Sequence, residues 1–202
     1  MKTMRILATI FCSISLLGFL TGCGPKAFTK GDYDKNVESE NTLDDQWSET
    51  DMQKMVQKLV GNLTNHRSIS ASKRPPVIMV TNLQNKTSEH IDTQSVMDMV
   101  RVELTNSGRV AFVDKEARED VAAEYEYQEG NMDSASKKTK GGQTGADFIL
   151  NGRLDSITKE VGSDKTVYYK VTLNLTNLKT NLVEWTGQDQ LRKLFKKKRI
   201  GF

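Results

Sequence analysis

Strict two-residue alternation near the C-terminal end constrains the fold of this chain more than any other feature. The stretch "TVYYKVTLNLTN" predicts a β-strand with one polar face and one core face, because side chains on a strand point alternately to opposite sides. Turn sequences flank it, Gly162-Ser163-Asp164 before it and residues 178–181 after it, so a three-strand meander is predicted over about 146–194. The residues expected to point inward are Val167, Tyr169, Val171, Leu173 and Leu175.

Before this meander the chain alternates between helical and strand patterns. Apolar residues spaced three or four apart predict helices at about 51–65, 93–107 and 115–129. Two short apolar runs at 77–80 and 110–113 predict buried strands. An αβαβα order followed by a meander predicts an α/β fold, with a mixed sheet of about four to five strands packed with helices.

Local signals indicate where these helices begin and end. Thr50 and Gln53 fit a capping box for the first helix, Gly108 is placed to end the second, and Asp114 is placed to cap the third. Two long polar loops, 82–92 and 130–145, separate the predicted elements. The third helix is expected to face the core through Ala117, Val121, Ala122 and Tyr125.

The N-terminal segment predicts where the protein resides. Lys2 and Arg5 precede an apolar run over 6–20, which has the length of a signal peptide and is short for a membrane span. The run ends in "LTGC", which resembles a bacterial lipobox, where the cysteine thiol receives diacylglycerol and a small residue precedes the cleaved bond. We therefore expect a signal peptide over 1–22 and lipidation of Cys23; the alternative is an anchor helix with an incidental cysteine. Gly24, in place of Asp, favours the outer membrane by analogy with enterobacterial sorting, with the protein facing the periplasm.

Composition divides the remaining chain into three parts. Residues 23–47 are polar and lack hydrophobic periodicity, which predicts a flexible tether; a globular domain over 48–194 and a basic tail over 195–202 follow. The formal net charge is +3, but "LRKLFKKKRIGF" carries six bases and no acid, so the domain body is mildly acidic. That distribution argues against binding to nucleic acid. For the basic tail, anionic lipid, a wall polymer and bulk solvent remain open.

Residues suited to catalysis or metal binding are scarce. Both cysteines lie in the N-terminal segment, and neither His66 nor His90 has a partner at metal-ligand spacing. The stretch "GGQTGAD" resembles a phosphate-binding loop, but it lacks the Gly-Lys-Ser/Thr triplet and precedes a strand instead of a helix. We therefore expect no cofactor, no metal and no enzymatic activity.

Two longer stretches carry a family resemblance. Together with the lipobox, "PPVIMVTNLQNKTSEHIDTQSVMDMVRVEL" and "GADFILNGRLDSI" resemble the LpoB family, lipoproteins that activate a class A penicillin-binding protein. The resemblance covers roughly 45–192 and implies a domain like the N-terminal domain of TolB. It further implies a monomeric, non-enzymatic protein that docks on the synthase and stimulates peptidoglycan synthesis. The alternative is a periplasmic assembly or structural lipoprotein of a secretion or envelope complex with the same fold, which should self-associate into rings.

We expect the surface that contacts the partner to lie in the two long polar loops, because long loops often carry function. The residues predicted to contact the partner are Asn82, Asn85, Thr87, Glu89, His90, Lys137, Lys138 and Lys140.

Overall fold

The computed structural model of this protein describes residues 44–138 and 141–197. The predicted signal peptide, Cys23, most of the predicted tether, Lys140 and the end of the basic tail lie outside the described residues. Within the described ranges no helix is both long enough and apolar enough to cross a membrane.

The described chain forms a five-stranded mixed sheet with helices. In the order β2-β1-β3-β4-β5, β1 is parallel to β2 and β3, and β3, β4 and β5 form an antiparallel meander. The predicted α/β class and the strand number are confirmed. The elements are α1 (Glu49–Asn65), α2 (Arg67–Ser70), β1 (Val77–Lys86), α3 (Thr93–Asn106), β2 (Ala111–Phe112), α4 (Ala117–Asn131), β3 (Phe148–Val161), β4 (Asp164–Asn177) and β5 (Val183–Lys196).

Helices α1 and α3 cover one face of the sheet and enclose the core. They pack on each other, α1 lies against β5, and α3 lies against β1. All five residues that the alternation in β4 predicted to point inward are buried, so that prediction is confirmed. Each fully buried aliphatic side chain contributes about 1.5–3 kcal/mol to this face. Leu63, Met97, Leu104, Leu150 and Leu173 are among the core residues with at most 1% exposure.

The opposite face of the meander, here called the open face, carries polar and exposed side chains. The register places Asn151 beside Asn174, Arg153 beside Thr172, and Ile157 beside Tyr168 on this face. Because its side chains point away from α1 and α3, the open face needs no apolar pattern.

Helix α1 begins two residues earlier than the sequence predicted. Ser48 is the N-cap: its hydroxyl accepts the Asp51 N–H, and the Asp51 carboxylate accepts the Ser48 N–H. The predicted capping box of Thr50 and Gln53 is therefore wrong. Thr50 is buried in the first turn, and the Asp51 carboxylate that completes the cap also forms an ion pair with Lys193.

Strand β1 continues into the segment that was predicted as a loop. Residues 83–86 pair with β3 as far as Asp155, after an irregularity between Val80 and Leu83. The prediction of a loop starting at Asn82 is therefore wrong. This part of β1 resembles a loop in sequence because the irregularity interrupts the two-residue alternation, and because the open face tolerates polar side chains. By contrast β2 has only two residues, Ala111 and Phe112.

Helix α4 forms as predicted but does not face the core. The Asp114 carboxylate accepts the N–H groups of Glu116 and Ala117, in the turn that leads into the helix. The N-cap position is Glu116, whose side chain makes no capping hydrogen bond, so the prediction of Asp114 as the N-cap is wrong by two residues. No residue of α4 is buried, so the predicted inward face of Ala117, Val121, Ala122 and Tyr125 is wrong. The neighbouring β2 is too short to offer a packing surface, and Val121 and Tyr125 instead border a groove of about 430 Å³.

Candidate functional site

The loop that follows β1 is held together by its own polar side chains. Asn85 donates from Nδ2 to the Glu89 carbonyl at 2.8 Å, and its Oδ1 accepts the Thr87 N–H at 2.9 Å. The Thr87 hydroxyl also donates to Asn85 Oδ1, at 2.7 Å, and accepts the Glu89 N–H at 3.1 Å. Asn85 and Thr87, both predicted to contact a partner, therefore use much of their hydrogen-bonding capacity to shape this loop.

Glu89 connects the loop to the sheet and to the residues just before α1. Its carboxylate accepts the Trp47 N–H at 2.8 Å and the hydroxyl of Tyr169. Tyr169 is fully buried, and its ring meets the Trp47 ring edge-on with centroids 5.3 Å apart. Burial, and then the adjacent Glu89 carboxylate, raise the pKa of Tyr169 well above its usual range, so the phenol remains protonated and donates this hydrogen bond.

Two lysines hold the residues before α1, here called the strap (residues 44–48), against the sheet. Lys193 donates to the Gln46 carbonyl and pairs with Asp51, each at 2.6 Å, and both charged side chains are at most 5% exposed. Lys165 pairs with Asp45, and this hydrogen bond lowers the pKa of Asp45 below its usual value. The strap residues 45–47, which were predicted to belong to the tether, lie against the domain.

The strap and the loop 87–92 together border a surface groove of about 520 Å³. Trp47, Met52 and Ile91 supply its apolar wall, and the N-terminal ends of α1 and α3 meet there. Exposed polar residues form its rim, among them Glu49 and His90. An apolar wall with a polar rim, beside a loop that its own hydrogen bonds support, makes this groove a candidate protein-binding site.

Other residues predicted to contact the partner lie elsewhere. Asn82 borders a polar groove of about 600 Å³ on the open face, next to Asn151 and Thr172. Lys137 donates to the Glu129 carbonyl and the Lys138 N–H donates to Gln128, so both lie beside the C-terminal end of α4.

The two predicted loops also join the sheet at opposite ends of β1. Loop 130–145 leads into β3, whose first residue pairs with Ile78, whereas loop 87–92 follows Lys86. These two positions on β1 are eight residues apart, or about 26 Å at 3.3 Å per residue. The loops therefore meet the sheet at separate places, and the groove beside the strap contains Glu89 and His90 of the predicted set.

Sequence reasoning did not identify the polar residues that support this groove. Lys193 follows Trp185 by an even number of residues on β5, so alternation alone could have placed it on the inner face. Nothing local marked Trp47, Asp51 or Glu89 as its neighbours. Within the described residues no group of three His, Cys, Asp or Glu side chains is arranged to hold a metal ion.

Comparison with solved structures finds similar chains at low sequence identity. The LpoB C-terminal domain of Salmonella enterica is 18% identical, with a TM-score of 0.45, over 70% of this chain and 98% of that domain. The LpoB C-terminal domain of Escherichia coli is 16% identical, with the same TM-score and coverage. Lipoprotein GNA1162 of Neisseria meningitidis is 16% identical, with a TM-score of 0.39, over 59% of this chain and 83% of that one. No match was found among curated proteins.

A family model matches most of the chain. The model described as peptidoglycan-synthase activator LpoB matches residues 49–191. This span starts at the first residue of α1 and ends within β5, so it contains all or part of every described helix and strand. The resemblance predicted from the sequence is confirmed, and the chain belongs to the LpoB family of peptidoglycan-synthase activators.

Proposed function

We propose that this protein is a lipid-anchored, non-enzymatic activator that binds a class A penicillin-binding protein and stimulates its synthesis of peptidoglycan. The observation that carries the proposal is the family match over residues 49–191. The lipobox ending in Cys23 supports attachment to the membrane, and Gly24 favours the outer membrane, with the domain in the periplasm.

The groove beside the strap is the docking surface in this proposal. It combines an apolar wall with an exposed polar rim, and the Glu89 contacts to Tyr169 and Trp47 hold the loop in one conformation. A preorganised surface loses less conformational entropy when a partner binds. Exposed His90 is the residue of the groove at which we expect a substitution to affect the partner most directly.

Activation by such a protein is a shift between conformations of the synthase. The activator raises synthase activity only if it binds the active conformation more tightly than the inactive one. A tenfold shift in that equilibrium needs about 1.4 kcal/mol of differential binding. A few contacts across the groove are enough for this, so no chemistry by the activator itself is required.

The test is glycan polymerisation by the cognate class A synthase with and without the purified mature chain, residues 23–202. His90→Glu adds one negative charge to the groove and is expected to weaken activation about tenfold, the effect of losing ~1.4 kcal/mol of contact energy. Gln188→Glu is the matched control, because it adds the same charge at an exposed position of the open face. It should leave activation unchanged.

Several outcomes would contradict the proposal. If the chain neither binds the synthase nor changes its rate, the activator assignment fails. Hydrolysis of peptidoglycan by the chain alone would indicate an enzyme. Elution as a large ring on a sizing column would favour the assembly or structural lipoprotein considered above.

Lipid attachment is tested separately from activation. Cys23→Ser should release the protein from membranes that are washed at high salt, since it removes the thiol that receives the lipid and salt screens any remaining attraction between exposed charges and lipid. If the washed membranes retain Cys23→Ser as they retain the native chain, the assignment of the lipobox is refuted without affecting the activator assignment.

A further inference from the structure

The end of the meander that contains the β3–β4 turn exposes large aliphatic side chains on the open face. Ile157, Val161 and Leu194 are 64%, 63% and 70% exposed. The register places Ile157 in line with Tyr168 and Arg192, and it places Lys159 in line with Leu194. Because alternate residues of a strand share a face, these side chains lie on one surface. We call it the hairpin-end patch, formed by Ile157, Lys159, Val161, Arg192, Leu194 and Lys196.

The charged residues of this patch are mainly basic. Lys159, Arg192 and Lys196 have no acidic side chain at ion-pair distance within the part of the chain that the structure describes. Asp164 lies across from Lys196, and Glu160, next to the patch on β3, is paired with Lys165 and Lys197. Asp155 farther along is paired with Arg153 and Lys170. Exposed aliphatic residues among unpaired bases match the interface of a bilayer that contains anionic lipid.

The strap reaches the domain at this same end of the sheet. Asp45 pairs with Lys165 and Gln46 accepts a hydrogen bond from Lys193, and both lysines lie within a few residues of the strand ends that form the patch. Upstream of Asp44 the chain leads to Cys23, and the 21 intervening peptide units span at most about 75 Å. An anchor at Cys23 would therefore keep this end of the domain within reach of the membrane.

Exposure of aliphatic residues alone does not single out this end. Leu178, Leu182 and Val183, at the opposite end of the meander, are 45%, 64% and 56% exposed. The two ends differ in the position of the strap and in charge. In sequence, three further bases, Lys197, Lys198 and Arg199, follow β5, and Lys197 pairs with Glu160.

We propose that the hairpin-end patch docks on the anionic phospholipid surface of the membrane that holds the lipid anchor. The identity of that membrane rests on the proposed lipidation of Cys23, whereas the affinity of the patch for lipid does not. Docking would hold the open face against the bilayer, while the groove lies on the helix-covered side of the sheet.

The test is co-sedimentation of the mature chain with vesicles, using Cys23→Ser so that no acyl chain contributes. Vesicles of phosphatidylethanolamine and phosphatidylglycerol should bind the protein, and vesicles of phosphatidylcholine alone should bind it far less. Lys159→Gln with Arg192→Gln should lower the partition coefficient roughly 25-fold, about fivefold for each base. Ile157→Ser with Leu194→Ser should lower it about tenfold through lost apolar burial.

The matched control changes the opposite end of the meander. Lys179→Gln with Leu182→Ser removes one base and one aliphatic residue of the same exposure as Ile157, and it should leave vesicle binding unchanged. Equal losses for the control and the patch variants, or equal binding to both vesicle types, would overturn the proposal. So would patch variants that keep full vesicle binding but lose stimulation of the synthase, since the patch would then be a protein-docking surface. Failure of the Cys23→Ser fractionation test alone would leave the vesicle result standing.

Discussion

Replacing Lys193 by methionine removes one partner of a buried ion pair and keeps most of the volume of the side chain. In the native protein the Lys193 ammonium lies 2.6 Å from the Asp51 carboxylate, and the two side chains are 4% and 5% exposed. After the substitution, Asp51 retains the Ser48 N–H at 3.0 Å as a donor, and the Gln46 carbonyl loses its donor. A buried carboxylate is then left without its counter-charge.

Breaking a buried pair on one side costs about 3–5 kcal/mol, because the remaining charge is desolvated without compensation. Domains of this size are stable by about 5–15 kcal/mol, so the loss is large. Replacing both partners, in Asp51→Asn with Lys193→Met, leaves no buried charge. We expect the double variant to be more stable, by about 2 kcal/mol or more, than the sum of the two single losses of stability would give.

Equilibrium urea unfolding followed by far-ultraviolet circular dichroism measures these differences. With a slope of about 2 kcal/mol per molar urea, a loss of ~3 kcal/mol lowers the midpoint by about 1.5 M. The exposed pair of Lys58 and Asp189, at 2.9 Å with Lys58 72% exposed, is the control. Lys58→Met should cost less than about 1 kcal/mol. If Lys193→Met costs no more than Lys58→Met, or if the double-variant cycle shows no coupling, the reasoning about the strap is refuted.

Three further predictions concern the strap, the sheet and the outer helix. Because its pairing with Lys165 lowers the pKa of Asp45, the carboxylate stabilises the fold above its unfolded pKa near 3.8, and this contribution is lost as pH falls through the lower folded pKa. The stability difference between the native chain and Asp45→Asn should thus be constant at neutral pH and disappear in strong acid; a pH-independent difference would contradict the pairing. Gly187→Ala should cost about 1–3 kcal/mol in urea unfolding, because the added methyl group overlaps the indole ring of Trp185; an unchanged midpoint would contradict that packing. Val121→Ser should change stability by less than about 0.5 kcal/mol, because α4 buries no residue; a loss of 2 kcal/mol, in the range of a core truncation, would show that α4 packs in solution.

The elements that sequence reasoning predicted well are those with one buried face. The alternation in β4 and the helical spacing in α3 exist because burial selects apolar residues at the period of the element. Gly108 ends α3 with a φ of 65°, which explains why a glycine marks that position. These local rules were sufficient to predict an α/β fold with a mixed sheet.

The incorrect predictions concern features of the structure that are determined by tertiary contacts or by the lack of them. Helix α4 contains alanine and valine at helical spacing, but no strand long enough to receive them lies alongside. The first turn of α1 pairs through Asp51 with Lys193, which lies more than a hundred residues away in sequence, although its capping box of Ser48 and Asp51 is local. Likewise Glu89 meets Tyr169 across 80 positions, and neither local composition nor spacing carries that information. Local sequence patterns therefore could not identify the residues that support the candidate site, although they did predict the loop that contains Glu89 and His90.

The most direct test of the proposed activation is the rate of glycan polymerisation by the cognate class A synthase as the mature chain is titrated in. We expect a saturable increase in rate, a right shift of about tenfold in the titration for His90→Glu, and a wild-type curve for Gln188→Glu. A flat titration with no detectable binding would contradict the claim that this member of the LpoB family activates such a synthase.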